Sequence, residues 1–151
     1  MYTDCYCTQF RRSARALTVI YDAALRKEKI RITQFSLLRA LNRLGAATLQ
    51  ELAEEVVLDK TTISRNVKLL ATTGWVEFES TGDLRKKLVK LSPQGTKKLA
   101  SASVSWQKAQ KKILESALEI FSVSGSDPLI DTLEKLQQLS SAAKTNGYMD
   151  N

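Results

Sequence analysis

The sequence predicts a mostly α-helical fold with a small β-hairpin wing: a winged helix–turn–helix carrying N- and C-terminal dimerisation helices. Three observations lead there. A Thr48-x-x-Glu51 capping box opens a short amphipathic segment, and a second helical segment begins after Asp59 and stops at Gly74. Val76 and Phe78 then alternate with Glu77 and Glu79, the two-residue period of a half-buried strand. Thr81, Gly82 and Asp83 supply turn chemistry, and Arg85, Lys86 and Lys87 put positive charge on the way back.

Each element follows from its own pattern. Between about Gln9 and Lys27 the apolar residues Phe10, Ala14, Leu17, Ile20, Tyr21, Ala24 and Leu25 recur at three and four positions, so a first amphipathic helix is expected. Thr33 is the expected N-cap of a second helix that buries Phe35, Leu38, Leu41 and Leu44 before Gly45 stops it. The third turns Leu49, Leu52, Ala53 and Val56 inward. The fourth, capped by Asp59, buries Ile63, Val67, Leu70 and Ala71. Lys87 to Leu91 forms the return strand. Ser92 and Pro93 read as a cap and a first-turn proline. A long helix should run from there to about Phe121, with Leu99, Ala102, Trp106, Ala109, Ile113, Ala117 and Ile120 in one stripe. After a Gly/Ser break at 122–126, Asp127 and Pro128 open a last helix lined by Leu129, Ile130, Leu133, Leu136 and Leu139.

These elements divide into an N-terminal arm and dimerisation helix (1–31), a winged helix–turn–helix DNA-binding lobe (32–92) and C-terminal dimerisation helices (93–151), in one intertwined domain. The outer helices carry more apolar surface than a small winged core covers. A twofold homodimer would bury it and present two recognition helices; an intramolecular three-helix bundle is the alternative.

Charge is distributed unevenly in a chain of net charge +7. Residues 1–45 hold nine Lys/Arg against three Asp/Glu, and residues 60–98 hold nine against three. Residues 46–59 carry four acids and no base, while 99–151 are close to neutral. Basic charge therefore sits in the helix–wing segment and the arm, where it can displace counterions from phosphate. Solubility alone is the bland alternative.

The sequence excludes other classes better than it excludes solubility. It holds no histidine, no Gly-rich phosphate loop and no pair of acids suited to a pocket, so nothing assembles a nucleophile with its base. An enzyme is not expected, nor a cofactor or a bound metal. No apolar run approaches the roughly 20 residues of a membrane span, and the N-terminus lacks a signal-peptide core. The expected compartment is the cytoplasm, with no membrane partner. A winged helix used only for protein contact is the remaining alternative. It would not need basic side chains on both helix and wing.

With Ile63, Val67 and Leu70 facing inward, Lys60, Thr61, Thr62, Ser64, Arg65 and Lys68 are left on the outer face or margins of the fourth helix. Arg65 suits a bidentate contact to guanine, the threonines a phosphate or a thymine methyl, and Lys60 and Lys68 phosphate. Asp83, two residues before Arg85, could hold its guanidinium extended toward a minor groove, with Lys86 and Lys87 neutralising phosphate. A solvated helix face and a charged edge strand are the alternatives.

From about Phe10 to Leu139 the chain resembles the MarR-type winged-helix transcriptional regulators. The resemblance is carried by ITQFSLLRAL at 32–41, LQELAEEVVLDKTTISRNVKLLATTGW at 49–75, the Asp-x-Arg of Asp83 and Arg85, and LSPQGTKKL at 91–99. It implies a triangular homodimer whose first, fifth and sixth helices interlock. Its recognition helices would enter adjacent major grooves of double-stranded DNA and its wings the flanking minor grooves. It also implies repression at palindromic operators, relieved by a small molecule or an oxidant. Thr61, Thr62, Ser64 and Arg65 would inherit base and phosphate contacts, Arg85 the minor groove, and Gln34 and Ser36 the backbone. An aromatic or phenolic effector would lodge near Tyr21, Phe35, Arg39 and Trp106, unless these aromatics are simply core.

Cys5 and Cys7 depart from a generic member of that family. A Cys-x-Cys beside Arg11 and Arg12 could be oxidised, cross-linked to the other subunit, or ligate a soft metal or metalloid. Structural packing of two thiols at the start of the first helix is the alternative.

Overall fold

The computed structural model describes residues 5–80, 82 and 87–120, the last five by backbone only. The chain divides into two compact units, 1–112 and 113–151; the second enters the described residues only as the helical stretch 113–120. The predicted last helix lies outside the described residues.

Helix α1 spans Tyr6–Leu25 and passes into a 3₁₀ turn, Arg26–Glu28. Only Leu25 of α1 is fully buried. Its expected inward stripe is open within one chain, with Phe10, Leu17 and Ile20 each at least 40% exposed. Helix α2 spans Ile32–Leu44, starting earlier than a Thr33 cap would allow. Arg31 occupies the cap position, and its side chain cannot accept a hydrogen bond. Two other side chains serve this end. Asp22 Oδ1 of α1 accepts from the Ile32 N–H at 2.8 Å, and Gln34 Oε1 accepts from the Arg31 N–H at 3.0 Å. Phe35, Leu37, Leu38, Ala40 and Leu41 are buried, whereas Leu44, expected inside, is exposed beside the Gly45 stop.

Strand β1, Ala46–Ala47, has no counterpart in the sequence pattern. It exists because Ala46 and Ala47 pair with Lys90 and Val89 of the wing. Helix α3, Leu49–Val56, opens on the anticipated capping box. Thr48 Oγ1 accepts from the Glu51 N–H at 3.2 Å, and Glu51 Oε2 accepts from the Thr48 N–H at 2.8 Å. Leu52 and Ala53 are buried, with Leu49 and Val56 packed at the core's edge.

Helix α4, Lys60–Thr72, buries Ile63, Val67 and Leu70 as expected. It ends in a Schellman motif: the Gly74 N–H donates to the Ala71 carbonyl at 3.0 Å and the Trp75 N–H to Leu70 at 3.1 Å, with Gly74 at φ +78°. Strands β2, Val76–Ser80, and β3, Lys87–Leu91, pair antiparallel from Val76 opposite Leu91 to Ser80 opposite Lys87. With β1 they form a three-stranded sheet of order β1-β3-β2. The alternation read in β2 does not make it half-buried along its length: Val76 is inside, but Phe78, two residues on, stays 47% exposed.

Helix α5 spans Pro93–Ile120. Ser92 caps it, its Oγ accepting from the Gly95 N–H at 2.9 Å while its O–H donates to the Gly74 carbonyl at 2.5 Å. Leu99, Ala102 and Ala109 are buried and Trp106 partly so, while Ala117 and Ile120 fall among the side chains not described. The core thus joins α2, α3, α4 and the sheet to the first half of α5. No helix among the described residues is long and apolar enough to cross a membrane.

Candidate nucleic-acid interface

The outward face of α4 is set by its inward one. Burying Ile63, Val67 and Leu70 commits one stripe, and residues at offsets of three and four on the opposite side fall together. Lys60, Thr61, Ser64, Arg65 and Lys68 accordingly line a single cleft of about 420 Å³, closed on one side by Leu49 of α3. Lys60, Thr61, Arg65 and Lys68 are exposed, and Ser64 is half-buried. Leu49 was assigned to the core by its sequence pattern; as the first residue of α3 it also supplies this cleft's apolar wall.

Thr62 has a different task. Its backbone N–H donates to Asp59 Oδ1 at 2.8 Å and its hydroxyl to Asp59 Oδ2 at 2.6 Å. The donor side of Thr62 is therefore engaged in fixing the start of α4. Those two bonds, the hydroxyl first, hold the Asp59 carboxyl below its ordinary range. The aspartate stays ionised at the positive end of the helix dipole, where a negative charge is favourable.

On the wing, Lys87 is exposed opposite Ser80. Lys90 lies 3.4 Å from Glu79 Oε2 and 3.5 Å from Glu77 Oε1, and the two carboxylates, Glu79 above all, hold its ammonium above the ordinary value. Its charge is spent within the sheet. Asp83, Arg85 and Lys86 lie outside the described residues.

Gln34 and Ser36, both early in α2, do not line the α4 cleft. Gln34 borders another, of about 520 Å³, with Val19, Asp22, Arg26, Lys29 and Arg31 among its walls. Ser36 is exposed.

The comparisons bear on this arrangement. A model of the MarR family matches residues 30–86, the stretch that holds α2, β1, α3, α4 and β2. The HTH-type transcriptional regulator YwoH of Bacillus subtilis is 28% identical over 106 residues, covering 70% of this chain and 77% of YwoH. The M. tuberculosis transcriptional regulator MosR, solved in complex with DNA, is 30% identical, covers 94% of this chain and 98% of its own, and superposes with a TM-score of 0.74. The chain belongs to the MarR family. It is a helix–turn–helix transcriptional regulator and not an enzyme. A mutant of E. coli MarR complexed with operator DNA shares the fold at 20% identity, covering 88% of this chain and 91% of its own, with a TM-score of 0.72.

In this MarR-family protein three of the four residues expected around an effector, Phe35, Arg39 and Trp106, stack between α2 and α5. The Phe35 and Trp106 rings lie 5.9 Å apart and tilted by 33°, and the Arg39 guanidinium sits 4.2 Å above the Trp106 ring. Phe35 has no exposed surface and belongs to the core. The Tyr21 hydroxyl donates to Gln110 Oε1. Burial pushes that phenol up, against a smaller opposing pull from Arg39. Neither of the two clefts described above includes any of the four.

Both thiols are exposed at the start of α1. Cys5 is the N-cap residue and Cys7 lies in the first turn. The Thr8 hydroxyl first, then the Thr8 backbone N–H and more weakly the Arg11 guanidinium, hold the Cys5 thiol below its ordinary value. Among the described residues no group of three or more His, Cys, Asp or Glu is arranged to hold a metal ion.

Proposed function

We propose that the protein binds duplex DNA as a homodimer, inserting α4 into a major groove and the wing into the adjoining minor groove, and that it represses transcription from a palindromic operator. The α4 cleft carries this reading. Three cations, two hydroxyls and one apolar edge within a single concave surface match the mixed chemistry of phosphates, base edges and thymine methyls. Arg65 reads bases, Thr61 and Ser64 contact bases or phosphate, and Lys60 and Lys68 neutralise phosphate. Thr62 positions the helix through Asp59 and offers its methyl group to a thymine. Lys87, with Lys86 and an Asp83-braced Arg85 assigned from sequence, serves the minor groove; Gln34 and Ser36 approach the phosphate backbone. MosR, at 30% identity, has been solved with DNA, which favours the same use here.

The dimer follows from apolar surface. Tyr6, Phe10, Leu17, Val19 and Ile20 are exposed along α1, and Val104 and Leu114 on α5. Residues 1–31 and 93–151 thus serve assembly, and 32–92 serve DNA. Release from the operator answers a small molecule or an oxidant, and the protein works where the chromosome is, in the cytoplasm.

A mobility-shift series against salt tests the core of this reading. The expected result is retarded duplex DNA whose affinity falls steeply as salt rises. No binding at any salt would leave the winged helix as a protein-contact adaptor.

A further inference from the structure

We propose that Leu49 is a specificity-determining residue of the interface, its side chain covering the C5-methyl group of a thymine within about two base pairs of the guanine read by Arg65. The assignment rests on the regulator reading above and adds to it a residue from outside α4.

Helix α4 supplies the polar part of the cleft. Lys60, Arg65 and Lys68 bring cations, Thr61 and Ser64 bring hydroxyls, and the aliphatic wall they meet is Leu49 of α3. In a major groove the cations and hydroxyls are matched by phosphates and by the donors and acceptors of the base edges. The thymine methyl is the base-edge group that an apolar surface matches. Thr61 carries a methyl of its own, but on a short side chain whose hydroxyl also needs a partner. Leu49 has no polar atom to satisfy and reaches further.

Leu49 is also held ready for such a contact. It is the first residue of α3, flanked by the capping box. Thr48 and Glu51 exchange backbone bonds of 3.2 and 2.8 Å, and their side chains are joined at 2.9 Å, so the main chain at Leu49 is fixed from both sides. Leu52, three residues on along the same face, is fully buried. Leu49 packs against the core with part of its surface and is half-buried, leaving the rest to the cleft. A side chain ordered before binding loses little freedom on docking, so the gain from covering a methyl is kept. That gain is roughly fourfold in affinity for one methyl group. Successive base pairs rise about 3.4 Å, and a space of about 420 Å³ is roughly two such steps across. The thymine and the guanine of Arg65 are therefore close neighbours in the operator.

The test uses the full-length protein and the tightest duplex it selects from a pool of random sequence. Each thymine of that duplex is replaced in turn by deoxyuridine, which removes the methyl and leaves every hydrogen-bonding group in place. For the native protein, one such replacement beside the guanine whose preference Arg65→Ala relaxes should weaken binding roughly fourfold. Leu49→Ala should bind the thymine and uracil duplexes equally, while Thr61→Ser, which keeps a hydroxyl and loses the methyl, should retain the difference at that position. Both duplexes meet the same folded variant, so a loss of stability in Leu49→Ala does not imitate this result. A thymine preference that survives Leu49→Ala at every sensitive position, one that vanishes in Thr61→Ser, or no sensitive thymine near that guanine overturns the proposal. Tight binding that ignores uracil leaves the regulator reading intact and removes Leu49 from it. If no duplex is selected, the regulator reading fails and the assignment of Leu49 falls with it.

Discussion

A methyl group placed on Gly95 would lie 1.8 Å from the carbonyl oxygen of Trp75, so the first turn of α5 rests directly on the backbone leaving α4. The obstacle is main chain, which cannot rotate aside as a side chain would. Gly95→Ala should therefore cost at least the roughly 1–3 kcal/mol of core overpacking, and should lower the urea midpoint with little change in slope. An unchanged midpoint would show that these two segments are not in contact.

Val57 closes α3 at φ +54°, with its neighbour's N–H, that of Leu58, bonded to the Ala53 carbonyl at 3.0 Å. That conformation suits glycine and costs a β-branched residue about 1–2 kcal/mol. The Val57 side chain is 76% exposed, so little packing is lost on removing it. Val57→Gly should raise stability by roughly 0.5–1 kcal/mol after the greater chain entropy of glycine is subtracted, read as a higher thermal midpoint.

Asp59 makes the start of α4 acid-sensitive. Its carboxyl is held below the ordinary value near 3.8, mainly by the Thr62 hydroxyl and N–H. A folded-state value lower than the unfolded one means that the stabilisation is complete above the unfolded value and fades as pH falls through the folded one. Circular dichroism titrated downward from neutral should show a loss below the ordinary carboxylate range that Asp59→Asn removes, since asparagine still caps. Asp59→Ala should weaken α4 at every pH. A titration identical for the native protein and Asp59→Asn would dismiss the role of the carboxylate.

Arg65 and Lys68 share one cleft but have different assigned roles. Arg65→Ala should lose about 1–3 kcal/mol on the specific operator and relax its sequence preference. Lys68→Ala should weaken all duplexes alike and reduce the salt slope by about one. Equal losses on specific and random DNA for Arg65→Ala would defeat its assignment to base reading.

Phe10 and Ile20 are 41% and 46% exposed on α1. Phe10→Glu with Ile20→Glu should convert the proposed dimer to monomers in sedimentation, because charges placed on an apolar face oppose its burial. A dimer that persists with unchanged affinity would place the interface elsewhere.

Local signals in the sequence located the elements whose partners are local. The Thr48–Glu51 box, the Asp59 cap and the Gly74 stop each depend on atoms within a few residues, and all three occur in the structure. Failures came where a partner is distant. The start of α2 uses Asp22, ten residues upstream, in place of a cap at Thr33. Two alanines become β1 only through Lys90 and Val89. Phe78 alternates correctly yet stays exposed, since alternation says which residues share a face with Val76 but not how far along the strand the core extends. In the candidate interface, helical offsets around Ile63, Val67 and Leu70 suffice to gather Lys60, Thr61, Ser64, Arg65 and Lys68. Leu49 could not be found that way because it belongs to another helix.

Ser92 gives the molecule a mechanical property. One hydroxyl, 7% exposed, donates to Gly74 just past α4 and accepts from Gly95 in α5, while its own N–H holds the Trp75 carbonyl. The end of α4 and the start of α5 are thereby pinned at one buried residue. A tilt imposed on α5 should therefore carry α4 with it as one piece.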